Sequence, residues 1–131
     1  MSSVESGRPR NFAQLFMVTA ALESGAGLAL LVAPAVALRL LFGTAVEVSS
    51  AVGMTRLTGM ALLSLGAACW GARHDERSAA SRAILWAMLV YNAGVLALVL
   101  LGGLGPLGLP QWAAVVLHGA MGIWCARVVV R

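Results

Sequence analysis

Of the 131 residues, 60% are hydrophobic and only 11% are charged, with a formal net charge of +4. A soluble domain of this length could not cover so much apolar surface, so the composition excludes a water-exposed globule and calls for lipid as the solvent. The basic excess consists of scattered arginines with no lysine and no run of aromatics among them, which excludes a nucleic-acid footprint.

The first apolar segment, residues 12–33, follows Arg8 and Arg10. It is too long for the apolar core of a cleaved leader and carries Glu23 at its middle, so it is read as a retained membrane helix. Pro34 interrupts the run, and residues 35–42 then form a short amphipathic piece ending at Gly43, with Arg39 able to reach the headgroups. Its expected place is flat on the outer interface. A second long segment, residues 48–72, carries Arg56, and a charged turn with Arg73, His74, Asp75, Glu76, Arg77 and Arg82 separates it from residues 83–104. A neutral Gly/Pro-rich turn leads into the last segment, residues 110–130. Each long segment matches the roughly 20 residues needed to cross a bilayer. The expected fold is therefore an all-α membrane protein, a single domain over residues 1–131, with four transmembrane helices in a bundle and one short interfacial helix after the first.

Orientation follows from the arginines. Placing both termini in the cytoplasm puts Arg8, Arg10, Arg73, Arg77, Arg82, Arg127 and Arg131 inside and leaves only Arg39 outside. That is the asymmetry of an inner-membrane protein with its N- and C-termini cytoplasmic. Trp70, Trp86 and Trp124 near the inner ends and Trp112 near the outer end fit interfacial belts.

Residue counting at ~1.5 Å per residue places Glu23 near the midplane. The same count puts Arg56, Asn92 and His118 between the midplane and the outer leaflet, one from each remaining helix. Charges in hydrocarbon cost at least ~2.5–3.5 kcal/mol, so Glu23 and Arg56 are expected to turn inward. A Glu23–Arg56 ion pair, with Asn92 and His118 supplying hydrogen bonds, is the expected solution, because a buried pair offsets its desolvation only when its remaining donors and acceptors are also satisfied. Tyr91 lies beside Asn92, and its hydroxyl needs a partner there. Small residues permit close helix approach: Thr19, Glu23 and Gly27 form one row, Ala21, Gly25 and Ala29 another, and Thr55 and Gly59 flank Arg56. On the last helix Gln111, His118, Gly122 and Cys125 share a face. Two readings stay open for the five residues Glu23, Arg56, Tyr91, Asn92 and His118: a buried polar cluster that fixes helix register, or a ligand site.

Catalysis and cofactors find little footing. One intramembrane His cannot hold a haem from both sides, and no His, Cys or carboxylate group has zinc-like spacing, so neither a cofactor nor a metal is expected. Cys69 and Cys125 are read as small buried hydrophobes. Without lysine there is no Schiff-base chemistry.

Two family resemblances bear on function. Glu23 in Ala21-Leu-Glu-Ser-Gly resembles the membrane-embedded acid of small multidrug resistance transporters, which implies a proton-coupled transporter of hydrophobic compounds. The aromatic and Gly/Pro motifs of that family's later helices are missing, and Arg56 would compete for Glu23. The stretch from Leu31 to Gly43, Arg56-Leu-Thr-Gly59-Met-Ala-Leu-Leu, Tyr91-Asn92 and His118 resemble DoxX-like and related small bacterial four-helix membrane proteins over nearly the whole chain. That resemblance implies a bacterial inner-membrane protein without catalytic chemistry of its own, an accessory subunit or a binder of a small apolar or lipid-like ligand. Its implied partners are membrane lipids, a quinone or other apolar ligand, and further copies of itself or a larger membrane complex.

Overall fold

The computed structural model describes residues 8–42, 49–76, 78–103 and 107–130. Five helices follow in chain order: α1 (Arg8–Val32), α2 (Pro34–Phe42), α3 (Ser49–Ala72), α4 (Ala79–Leu100) and α5 (Leu109–Val129). Among the described residues four are long and apolar enough to cross a membrane, over Asn11–Val32, Ser50–Ala72, Ala79–Leu100 and Leu109–Val129. At ~1.5 Å per residue each is about as long as a ~30 Å hydrocarbon core is thick. Val18, Leu22, Leu57, Met60, Val90, Val116 and Ile123 point outward. Such a belt is untenable in water and natural in lipid. The chain is an integral, multi-pass membrane protein of all-α class.

Local chemistry explains the helix ends. Pro34 lacks the N–H that would continue α1, so α2 starts there, after Ala33. The charged turn is shorter than its sequence suggests because Ser78 caps α4 early, its Oγ accepting the Ser81 N–H at 3.0 Å, while Asp75 Oδ1 accepts the Ser78 N–H at 3.2 Å. Thus α4 begins at Ala79 instead of residue 83. It also ends at Leu100 instead of residue 104: Gly102 adopts φ +77, and the N–H groups of Gly103 and Gly102 bond back to the carbonyls of Leu98 and Val99. That closure needs a left-handed residue, which glycine supplies without strain.

The four long helices run up and down as two tight pairs, α1 with α3 and α4 with α5. Glycine decides the first pairing. A Cβ at either Gly27 or Gly59 would stand 2.7 Å from the other's carbonyl oxygen, so the two backbones touch. Gly66 likewise lies against Ala20 and Ser24. Of the two small-residue rows, Thr19, Glu23 and Gly27 are buried, and Ala21, Gly25 and Ala29 face outward.

The two pairs meet through larger side chains. Phe12, Leu15 and Phe16 of α1, Cys69 of α3, Leu85 and Met88 of α4 and Met121 and Cys125 of α5 form one buried core in the half of the bundle nearest the charged turn, here called the basic end. Phe12 and Phe16 stack with centroids 4.2 Å apart. At the opposite end α2 covers the bundle, with Pro34 and Leu38 buried and Arg39 exposed. Gln111 fastens it: its Nε2 donates to the Leu41 carbonyl, and its Oε1 accepts the Gly108 N–H at 3.1 Å.

Candidate functional site

The Gly27–Gly59 contact sets the depth of every polar residue on α1 and α3. Glu23 lies four residues from Gly27 toward the basic end, and Arg56 lies three residues from Gly59 toward the other end. Seven residues of antiparallel offset separate the two by about 10 Å along the axis. Arg56 is moreover exposed on the outer surface, while its neighbours Thr55 and Gly59 are buried. The expected Glu23–Arg56 pair therefore does not form. An arginine this close to the start of its helix can extend toward the headgroups instead of turning inward.

The other members do gather. Asn92 Nδ2 donates to the Met88 carbonyl at 2.8 Å, so its Oδ1 is the acceptor facing His118 Nδ1 at 2.9 Å. This orientation assigns the Nδ1 proton to His118 and leaves Nε2, in the neutral ring, as an acceptor. Gly122 makes room, since a Cβ there would lie 3.7 Å from the Asn92 Cβ. Tyr91 meets the His118 ring edge to face, with centroids 5.6 Å apart and planes at 82°.

Glu23 approaches this group from α1. It is 8% exposed, lies within electrostatic range of Tyr91 and Cys69, and makes no hydrogen bond or ion pair among the described residues. One turn away, the buried Thr19 Oγ1 has no partner among them either. An acid and a hydroxyl left in this condition stand ready for a proton, a water or a ligand's polar group. The face expected on α5 is also present: Gln111 and Cys125 are buried, and His118 and Gly122 face α4.

A cavity of about 550 Å³ lies nearer the α2 end, between α1, α2 and α3. Its walls are Leu30 of α1, Leu38 and Phe42 of α2, and Ala51, Met54, Thr55 and Thr58 of α3. The two hydroxyls are turned back onto their own helix, Thr55 Oγ1 to the Ala51 carbonyl at 2.7 Å and Thr58 Oγ1 to the Met54 carbonyl at 2.9 Å. The groove therefore presents methyls and hydrocarbon. None of Glu23, Arg56, Tyr91, Asn92 or His118 lines it. Sequence reasoning missed this groove because its walls come from ordinary apolar residues, and the only signal was the short helix that Pro34 begins.

Comparison with known proteins finds no matching protein-family model, no matching curated protein and no matching solved structure.

Proposed function

We propose that this protein binds a small lipid-like molecule in the groove beneath α2 and serves the membrane as a ligand-binding or accessory protein, without catalytic chemistry of its own. The carrying observation is the groove: about 550 Å³ walled by hydrocarbon falls within the 300–1,000 Å³ usual for small-molecule sites. With both threonine hydroxyls committed to backbone, nothing along the walls selects a polar body, which favours an acyl chain or the isoprenoid tail of a quinone. The same proposal includes the setting implied by the DoxX-like resemblance, a bacterial inner membrane with the basic end in the cytoplasm, where further copies or a larger complex would be the partners. The test fills the groove. Ala51→Phe and Met54→Trp should each abolish binding of a fluorescent long-chain fatty acid and of a short-tailed quinone by the purified protein while its helix content is retained. Undiminished binding of both probes in both variants would remove the groove from function.

A second reading, proton-coupled transport of hydrophobic cations through Glu23, is favoured by one observation: Glu23 is buried without a partner among the described residues, and Arg56, which would have competed for it, faces outward. In proteoliposomes, pH-gradient-driven uptake of tetraphenylphosphonium that disappears in Glu23→Gln would support it. Uptake unchanged by that substitution would end it.

A further inference from the structure

Two of the six methionines and both cysteines of the chain belong to one buried core. Cys69 of α3, Met88 of α4 and Cys125 of α5 are fully buried, and Met121, one turn before Cys125 on the same face, is nearly so. The Cys69 Sγ lies 3.6 Å from the Met88 Sδ. Two sulfurs at that separation can ligate one metal ion between them. Cys125 belongs to the same buried core. We propose that the Cys69 thiolate, with the Met88 and Met121 thioethers, forms a sulfur-only site for a soft monovalent metal ion, Cu(I) or Ag(I), in the core near the basic end of the bundle, with Cys125 left as a protonated thiol beside it.

The donor set decides the class of ion. Thiolate and thioether ligands select Cu(I) over harder ions, whereas a structural zinc site draws on Cys, His and carboxylates and makes no use of thioethers. Among the described residues no group of three or more His, Cys, Asp or Glu stands in a metal-binding arrangement. Charge points the same way. Binding exchanges the Cys69 thiol proton for the metal ion, forming one thiolate–metal bond and dative bonds from the Met88 and Met121 thioethers and releasing one proton, with no change of oxidation state. One thiolate then balances one positive charge, so the loaded site is neutral, as burial among Phe12, Leu15 and Phe16 requires. The thioethers of Met88 and Met121 add neutral donors, which a second thiolate would not. Three helices contribute, so a bound ion would tie the α1–α3 pair to the α4–α5 pair where few backbone contacts do so.

The site is independent of the groove beneath α2, and each can fail without the other. The competing account is that the four sulfurs merely fill space, as buried Cys and Met often do. The test titrates the full-length protein in detergent, under reducing conditions, with Ag(I) and with Cu(I) against a chromophoric Cu(I) chelator. One ion per chain is expected, with a sulfur-only first shell by X-ray absorption. Cys69→Ala and Met88→Leu should each weaken binding by roughly 10- to 100-fold, at least the loss seen when an outer-shell partner of a metal is removed. Met60→Leu, on the outer surface, should leave it unchanged. Should Cys69→Ala fail to fold, Met88→Leu decides, because Leu fills the same volume without a sulfur. Absence of one-to-one binding, or binding unaltered by Met88→Leu, or binding lost in Met60→Leu, would overturn the site.

Discussion

Gly59→Ala should damage this protein far more than its size suggests. The added Cβ would stand 2.7 Å from the Gly27 carbonyl oxygen, 3.0 Å from Leu31 Cγ and 3.1 Å from Leu30 Cβ. The leucines can give a little, but the carbonyl belongs to the backbone of a packed helix. Restoring an ordinary contact near 3.4 Å requires α1 and α3 to part locally by about 0.7 Å, and a gap of 0.5–1 Å forfeits about a quarter to a half of each dispersion contact it opens. Overpacking of this kind costs about 1–3 kcal/mol, or roughly 5- to 150-fold in the folding equilibrium. Helix propensity acts oppositely, favouring alanine by up to ~1 kcal/mol. Gly25 and Gly53 isolate that term, because a Cβ at either meets nothing within 4 Å. Reversible unfolding in mixed micelles, followed by helix signal against denaturing detergent, should therefore show Gly25→Ala and Gly53→Ala neutral or stabilising and Gly59→Ala destabilised relative to both. Equal behaviour of all three variants would refute the backbone contact and with it the register that separates Glu23 from Arg56.

Because Glu23 and Arg56 lie about 10 Å apart along the axis, Glu23→Gln and Arg56→Leu should add within ~0.5 kcal/mol in a double-mutant cycle, and a coupling well above that would restore the ion pair. His118→Phe preserves a ring against Tyr91 but strips the donor from Asn92 Oδ1, so it should cost about 1–3 kcal/mol, part of which Asn92→Leu recovers in the double variant. A double variant as stable as His118→Phe alone would show that the hydrogen bond contributes little. In a background lacking Cys69 and Cys125, single cysteines at Glu76 and Leu107, both exposed, should label from opposite sides of the membrane, with Glu76 reached from the cytoplasm. Labelling of both from one side would invert the topology.

The membrane class, the four long helices and the short helix after Pro34 were all legible in the residues, because each rests on a local quantity. Apolar length, a missing proline N–H and residue counts at a fixed rise need no knowledge of neighbours. Helix ends were less so: Ser78 and Gly102 moved both ends of α4, and their effect lies in hydrogen bonds to residues three to five away. What only the tertiary structure decided is who meets whom. The Glu23–Arg56 pair was inferred from two charges and their counted depths, but the backbone contact at Gly27 and Gly59 offsets them and Arg56 turns outward. The groove under α2 and the sulfur cluster of Cys69, Met88, Met121 and Cys125 were equally hidden. In lipid, unlike water, the outer and inner faces of a helix are both apolar. The pattern of hydrophobicity then no longer marks which face packs, and close approach between small residues settles the matter.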